Sequence, residues 1–130
     1  MQEKKRIVVL DDNEPFAALI VAALETDYTV VVGMNGREGL RLCQDAHTDL
    51  LITDIGMPEL DGIQLLKELQ KDQRLSDIPV VVVTATHFHT QTRSDVSRYK
   101  QVRGIISKTS GIDFITGEVR KVLHGPATPD

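Results

Sequence analysis

Four short apolar runs in the chain are each followed by polar residues that can take part in phosphoryl or metal chemistry. Asp11 and Asp12 follow the first of these runs, and Asp54 follows the next. Thr84 ends the third run and Lys108 follows the last. Taken singly, each residue has an ordinary explanation, such as a helix cap, a turn or a solvated surface position. The ordered set of five residues points instead to one shared site.

Three carboxylates in one cleft repel one another, so positive charge must offset them. Lys108 supplies one positive charge. A hard divalent cation such as Mg²⁺ would supply the rest, because it binds one or two carboxylates and keeps waters for a phosphate. A carboxylate is also a nucleophile that can form an aspartyl phosphate. The cation and the lysine would stabilise charge on a transferring phosphoryl group, and the Thr84 hydroxyl could donate a hydrogen bond to it.

The elements that must position these residues follow from the apolar pattern. Five runs lack polar alternation, which is typical of strands buried on both faces of a parallel sheet. They are Ile7–Leu10, Val30–Val32, Leu50–Ile52, Val80–Val83 and Ile105–Ile106. Helical spacing of apolar residues predicts five helices, over about 14–25, 37–46, 63–71, 90–101 and 112–123. The fourth has only Val96 and Tyr99 as apolar anchors, so we expect it to be marginal.

Strand–helix alternation predicts an α/β three-layer sandwich, with helices on both faces of a five-stranded parallel sheet. Right-handed crossovers favour the flavodoxin-like strand order 2-1-3-4-5. In that order the connection reverses between strands one and three, and ligands bind beyond the carboxyl ends of the strands at such a point. We therefore expect Asp11, Asp12 and Asp54 to converge in one crevice, with Thr84 and Lys108 beside it.

Size and composition indicate one domain and exclude several classes of function. The chain has 130 residues, is 41% hydrophobic and carries a net charge of −4, which argues against direct nucleic-acid binding. A single cysteine, Cys43, excludes an internal disulfide, and we expect it to be buried on the second helix. With no signal peptide and no membrane span, we expect a cytoplasmic protein without membrane contact. We expect residues 1–124 to form the domain and 125–130 to be a flexible tail or a linker to an absent domain.

The segment Asp54–Gly62, with the sequence DIGMPELDG, resembles the receiver domain of two-component response regulators. That family has a phosphoacceptor aspartate followed by Met-Pro and then by Asp-Gly. The acidic pair Asp11-Asp12 and the residues Thr84 and Lys108 match its other functional positions. The resemblance covers about residues 5–124.

The resemblance implies a phosphorylatable signalling switch of a two-component or phosphorelay system, rather than a metabolic enzyme. Asp54 would accept a phosphoryl group from a sensor histidine kinase or a histidine phosphotransfer protein. Asp12, Asp54 and the backbone carbonyl of Gly56 would bind Mg²⁺, with Asp11 helping through a metal-bound water. Lys108 would pair with the phosphoryl group, and the domain would catalyse its own phosphoryl transfer and hydrolysis.

The resemblance also implies where the state of the switch is communicated. Thr84 would move to bond the phosphoryl group and couple it to a surface change. The kinase-side partner would dock around Pro15, Phe16, Thr109 and Ser110. Output to an unknown partner or domain would leave by the face of helix four, strand five and helix five.

Three departures from the family pattern affect this interpretation. Ile105 stands where the family usually has an aromatic residue, three before Lys108, so the usual readout lacks its hydroxyl. Thr109 replaces a proline that commonly follows a cis bond. Because a cis bond before another residue type costs about 3–4 kcal/mol, we expect a trans Lys108–Thr109 bond. The third departure is a polar segment containing His87 and His89, which favours a solvated loop over a metal site.

Two alternatives remain open at the level of sequence. The first is a receiver-like interaction module with atypical or phosphate-independent switching, which Ile105 and Thr109 motivate. The second is a nucleotide- or flavin-binding protein on the same architecture. That function needs a glycine-rich or hydroxyl-rich phosphate cradle after the first strand. The sequence there is Asp-Asp-Asn, which repels a phosphate in the absence of a metal.

Overall fold

A computed structural model describes residues 4–56, 60–84 and 90–125 of the chain. The strands are β1 (Arg6–Leu10), β2 (Thr29–Gly33), β3 (Leu50–Thr53), β4 (Val80–Thr84) and β5 (Val102–Ser107). The helices are α1 (Glu14–Leu24), α2 (Gly36–Asp45), α3 (Gly62–Leu69), α4 (Gln73–Ser76), α5 (Thr90–Ser97) and α6 (Ile112–His124). A 3₁₀ turn, η1, spans Lys108–Ser110.

The five strands form one parallel sheet in the order β2-β1-β3-β4-β5, which confirms the predicted flavodoxin-like fold. In register, Leu10 at the end of β1 lies between Gly33 on β2 and Thr53 on β3. On the far side of the sheet, Thr84 is the partner of Ser107. The carboxyl ends of the strands therefore lie at one edge, where the polar residues of the sequence were expected to meet.

Strands β1, β3 and β4 are apolar over most of their length, as expected where helices cover both faces of the sheet. Successive side chains point to opposite faces, so the strand residues divide into two core clusters. On the face covered by α2 to α5 lie Val8, Leu10, Leu51, Val80 and Val82. On the face covered by α1 and α6 lie Ile7, Val9, Leu50, Ile52, Val81 and Val83. Burial of each such side chain contributes about 1.5–3 kcal/mol to the free energy of folding.

The helices agree with the predicted pattern, with one addition. The one-turn helix α4 was not predicted; it is capped by the side chain of Asp72, which accepts a hydrogen bond of 2.9 Å from the Arg74 amide. The weakly patterned α5 is anchored by the fully buried Val96. It ends at Ser97, so Tyr99 lies beyond it, in the connection to β5.

Three other expectations concern the remainder of the chain. Cys43 is buried on α2, as predicted, and burial raises the pKa of its thiol to about 11. His87, His89 and the tail at 126–130 lie outside the described residues, so the interpretations placed on them remain predictions. Within residues 4–56, 60–84 and 90–125, no helix is long and apolar enough to cross a membrane.

Helix α2 packs closely on the sheet at Gly39. A Cβ atom built there would lie 2.1 Å from Cδ1 of Leu10, whose side chain is itself 1% exposed. Because the buried leucine has little room to move, only glycine allows α2 to approach β1 this closely. Gly39 therefore sets the position of the helix beside the strand that leads into Asp11.

The close approach predicts opposite effects for two glycine substitutions in helices. Gly39→Ala should lower the free energy of unfolding by about 1–3 kcal/mol, because overpacking displaces Leu10. Gly117→Ala in α6 should raise it by up to about 1 kcal/mol, because its Cβ meets no atom within 4 Å and alanine favours a helix. Urea unfolding of the two variants measures both values, and equal effects would contradict the packing explanation.

Candidate functional site

Asp11 and Asp54 leave neighbouring strands at the same level of the sheet. The Asp54 amide donates a hydrogen bond of 3.1 Å to the carbonyl of Leu10, and the Asp11 amide donates one of 3.2 Å to the carbonyl of Gly33. The parallel ladder thus extends one residue past each strand and fixes the backbone of both aspartates. Their exposed fractions are only 2% and 9%. The fold therefore brings two of the three predicted carboxylates together in a nearly buried position.

Lys108 reaches the two aspartates from the end of the edge strand β5. Its Nζ lies 2.7 Å from Asp11 Oδ2 and 3.1 Å from Asp54 Oδ2, and its side chain is 13% exposed. Because Lys108 follows β5, its side chain must extend across the carboxyl ends of β4 and β3 to reach Asp11. The predicted convergence of Lys108 with the carboxylates is therefore present in the structure.

Backbone amides hold the second oxygen of each carboxylate. Asp54 Oδ1 accepts hydrogen bonds from the amides of Ile55 at 2.6 Å and Gly56 at 3.3 Å. Asp11 Oδ1 accepts one from the amide of Asn13 at 2.9 Å. Hydrogen bonds of this kind fix the rotation of a carboxylate. Both aspartates are therefore oriented before any ligand binds.

The Lys108 ammonium is subject to opposing effects. Partial burial acts to lower its pKa, but the hydrogen bonds and negative charges of Asp11 and Asp54 outweigh burial, so the pKa is raised. Lys108 is therefore a cation at neutral pH. The stabilisation from its ion pairs is present there and is lost only as the pH rises through the raised pKa.

The other predicted site residues surround this trio. Asp12 is exposed beside Asp11, and Gly56 is exposed in the turn after Asp54. Thr84 is buried at the end of β4, between the strands that lead to Asp54 and Lys108. All the predicted site residues near the phosphoacceptor position thus lie at one edge of the sheet.

The Asp-Gly pair of the sequence motif helps to position Asp54. Asp61 caps α3, accepting a hydrogen bond from the Gln64 amide while the Gln64 side chain accepts one from the Asp61 amide. At Gly62 a Cβ atom would lie 2.8 Å from the carbonyl oxygen of Asp54, so glycine allows α3 to begin against the site. Residues 57–59, which include Met-Pro, lie outside the described residues.

The donor chemistry of the site suits a divalent cation. Two buried carboxylates, the exposed Asp12 carboxylate and the Gly56 carbonyl are hard oxygen ligands of the type that Mg²⁺ prefers. Within the part of the chain that the structure describes, no group of three or more His, Cys, Asp or Glu side chains is arranged to hold a metal ion. Asp11 and Asp54 instead share the Lys108 ammonium.

The turn that carries Lys108 forms without a proline at position 109. The Lys108–Thr109 bond is trans, as predicted, and no cis peptide bond occurs in the described residues. Ser107 caps η1: its Oγ accepts a hydrogen bond from the Thr109 amide at 3.1 Å and lies 2.6 Å from Thr109 Oγ1. This role of Ser107 was not predicted, although Ser-x-Thr is a turn-forming pattern.

Ile105, at the other departure, is a half-buried part of the core on the α2-to-α5 face of the sheet. Its side chain packs against this core cluster, as do those of Tyr99 and Val102. An aliphatic residue at this position therefore serves packing, and any movement there would be a change of packing rather than an exchange of hydrogen bonds.

The predicted docking residues flank the opening of the site. Asn13 caps α1 by accepting a hydrogen bond of 3.0 Å from the Phe16 amide, and Pro15 suits the first turn because that position needs no amide donor. Pro15 is exposed, whereas Phe16 is half-buried with its ring centroid 4.6 Å from Lys108 Nζ. Thr109 and Ser110 are exposed on η1.

Removal of the lysine charge should strongly destabilise the fold. In Lys108→Met, two nearly buried carboxylates face each other without the cation that pairs with both of them. Because loss of one partner leaves buried charge uncompensated, the free energy of unfolding at neutral pH should fall by about 2–4 kcal/mol relative to wild type.

Urea unfolding at neutral pH measures this effect. Lys121→Met provides the matched control, because that lysine is 60% exposed and pairs with Glu118 at 3.4 Å on the surface. Its variant should lose less than about 1 kcal/mol. A loss in Lys108→Met no larger than that of the control would refute the ion-pair interpretation.

Comparisons with known proteins agree with this geometry. The family described as "Response regulator receiver domain" matches residues 7–120. The polar-differentiation response regulator DivK of Brucella ovis is 35% identical over 82 residues, which are 62% of this chain and 67% of that protein. Histidine kinase P4 of Formosa agariphila is 34% identical over 84 residues. Those residues are 65% of this chain but only 6% of the kinase.

Among solved structures, response regulator TrrA of Thermotoga maritima, crystallised in complex with Mg²⁺-BeF, has a TM-score of 0.76 and 30% identity. The similarity covers 92% of this chain and 99% of TrrA. The match of the family over most of the chain, together with the sheet order and the Asp11–Lys108–Asp54 cluster, leads to one conclusion. The chain belongs to the receiver-domain family of two-component response regulators.

Proposed function

We propose that Asp54 is the phosphoacceptor of this receiver domain and that Lys108 and Thr84 couple its phosphorylation to a change at the surface. The observation that carries the proposal is the environment of the Asp54 carboxylate. One oxygen is 3.1 Å from the Lys108 ammonium, and backbone amides fix the other. Such a carboxylate is an oriented nucleophile beside a cation that can stabilise phosphoryl oxygens.

The reaction would transfer a phosphoryl group from a histidine of the partner to Asp54. An Asp54 oxygen attacks phosphorus, the P–N bond to the imidazole breaks, and the imidazole leaves with the electron pair. Lys108, already at the site, offsets charge on the phosphoryl oxygens. Later attack by water on the same phosphorus would release phosphate and restore Asp54. The domain would thus promote both steps of its own phosphorylation cycle.

The donor set fits Mg²⁺, held by Asp12, Asp54 and the carbonyl of Gly56, with Asp11 beside them. When bound, this cation would supply further positive charge to the phosphoryl oxygens. The Mg²⁺-BeF complex of TrrA supports this choice of metal. Asp11 and Asp54 each contact the Lys108 ammonium through Oδ2. The lysine and the cation would therefore each neutralise part of the negative charge of the pocket.

The two alternative functions receive less support. A phosphate-independent module was motivated by Ile105 and Thr109, yet the trans turn at Thr109 still brings Lys108 to Asp54. A nucleotide- or flavin-binding function would need phosphate-binding groups after β1. The residue there, Asp11, is a buried carboxylate that pairs with Lys108 instead.

The partner would be a sensor histidine kinase or a histidine phosphotransfer protein, docked on the surface around the site. A phosphohistidine must reach Asp54, so its protein must cover the first turn of α1 and the exposed turn η1, where Pro15, Phe16, Thr109 and Ser110 lie. Leu19 on α1 is 48% exposed and would extend this surface with apolar area. A sensor histidine kinase uses ATP, so this partner would place the chain in the cytoplasm.

Readout would begin at Thr84 and continue through the side of the sheet that β5 borders. Among the α5 side chains that the structure describes, 93–97, Val96 is the fully buried one, so the helix can change its position at small energetic cost. Ile105 would respond by repacking. We also propose that residues 1–124 act as the receiver unit and that 125–130 form a tail or lead to an output domain.

Intact mass spectrometry after incubation with acetyl phosphate and Mg²⁺ tests the assignment of Asp54. Wild type should gain one phosphoryl group, and the gain should disappear on chelation of the metal by EDTA. Asp54→Asn should gain none, because the amide is not a nucleophile of this kind. Asp77→Asn, at an exposed aspartate after α4, is the matched control and should be phosphorylated like wild type.

Two results would contradict the proposal. A phosphoryl group retained by Asp54→Asn would place the acceptor elsewhere. An unmodified wild type, both with acetyl phosphate and with a panel of phosphorylated histidine kinases and phosphotransfer proteins, would favour the phosphate-independent module.

The docking surface can be separated from the chemistry by the choice of donor. Ser110→Arg introduces bulk on η1 and should slow transfer from a phosphorylated protein partner by about tenfold or more, as a contact at an interface centre would. It should leave phosphorylation by acetyl phosphate within about twofold of wild type, because a small donor needs no docking surface. Ser97→Arg, at the exposed end of α5, is the control. Equal slowing with both donors would assign Ser110 to the pocket instead.

A further inference from the structure

The Lys108 ammonium has a third neighbour besides the two carboxylates. The ring of Phe16 lies with its centroid 4.6 Å from Nζ. Phe16 belongs to α1 and is half-buried, with the rest of its side chain packed against the core cluster shared by α1 and α6. The core cluster therefore supports the Phe16 side chain, and the Lys108 ammonium lies over its ring.

The distance is within the range in which an ammonium is attracted by the negative face of an aromatic ring. Such a contact has direction as well as strength, because the attraction depends on the cation lying over the ring. Asp11 and Asp54 attract Lys108 through single oxygens, at 2.7 and 3.1 Å. The ring adds a contact that does not depend on either carboxylate.

This third contact matters most when the lysine changes its partners. Under the proposed function, Lys108 exchanges its contacts with Asp11 and Asp54 for the oxygens of the incoming phosphoryl group. The lysine side chain is long and flexible, with four methylene groups. The ring contact does not change during that exchange, so it would limit the positions that the ammonium can take.

We propose that Phe16 is a positioning residue for Lys108, which keeps the ammonium over the pocket during phosphoryl transfer. This inference rests on the proposed function, since it assigns the lysine its task there. Phe16 touches neither the phosphoryl group nor Asp54 in this role and acts only through Lys108. It is a separate role from docking, which would involve the exposed rim of the same turn.

Three substitutions distinguish the effect of the aromatic ring from the effect of side-chain size. Phe16→Leu keeps an apolar side chain on the core but removes the aromatic face. Phe16→Tyr keeps the face. Phe114→Leu makes the same change at a phenylalanine of α6 that is 52% exposed, and serves as the control.

The first readout is spectroscopic and needs no phosphorylation. In ¹H–¹³C NMR spectra, the Cε protons of Lys108 should show an upfield ring-current shift in wild type, because they lie near the face of the Phe16 ring. The shift should be lost in Phe16→Leu and retained in Phe16→Tyr and Phe114→Leu. Assignment follows from the peak that disappears in Lys108→Met.

The second readout is the rate of phosphorylation by acetyl phosphate with Mg²⁺, which removes any effect of partner docking. Phe16→Leu should be slower by about threefold to tenfold, the range expected for loss of one cation–π contact. Phe16→Tyr should restore the rate to within about twofold of wild type, since its ring attracts a cation equally well. Phe114→Leu should not differ from wild type.

The outcomes distinguish this inference from the function on which it rests. Loss of the shift in Phe16→Leu together with slower phosphorylation, both rescued by tyrosine, would support the positioning role. A wild-type rate in Phe16→Leu, or an equal loss in Phe16→Tyr, would overturn it while Asp54 remained the acceptor. Absence of phosphorylation in wild type would overturn the proposed function itself, and the positioning role with it.

Discussion

Two carboxylates buried side by side require a cation, and the architecture of this receiver is organised around that requirement. Asp11 and Asp54 are 2% and 9% exposed at the ends of adjacent strands, where their mutual repulsion would be severe without Lys108. The lysine is supplied from β5, two strands away from β3. The site therefore exists only when the sheet is assembled from β1 through to β5, so that correct folding and a competent site coincide.

The surrounding elements serve to keep these three groups in register. Gly39 lets α2 pack tightly against β1, and Gly62 lets α3 begin against the backbone of Asp54. Ser107 closes the turn that presents Lys108, in place of the proline common in the family. A turn without a cis peptide bond can thus bring the Lys108 ammonium to Asp54.

Much of this structure was accessible from the sequence because the signals were local and strong. Unbroken apolar runs such as Val80–Val83 identify buried strands, and a polar residue directly after such a run must lie at the end of the sheet. The convergence of Asp11, Asp54 and Lys108 followed from the strand order, which the alternation of elements made probable. The convergence of these three side chains was therefore predictable once the strand order was.

What the sequence did not reveal depends on distances between elements remote in the chain. The one-turn helix α4 has only Leu75 as a buried residue, too little for a periodic pattern. The contact of Phe16 with Lys108 joins α1 to η1, two elements far apart in the chain, so no spacing rule predicts it. Capping by Ser107 was visible in principle, but many Ser-x-Thr sequences do not form a turn, so the pattern alone carries little information.

The path of the Lys108 side chain has a mechanical consequence. β5 is an edge strand of the sheet and pairs only with β4 among the described strands, whereas Asp54 and Asp11 follow the interior strands β3 and β1. The two ion pairs of Lys108 therefore act as non-covalent cross-links from the edge of the sheet to its interior. A ligand that moves Lys108 away from Asp11 weakens this cross-link. The local opening of β5 should then depend on the chemical state of the pocket.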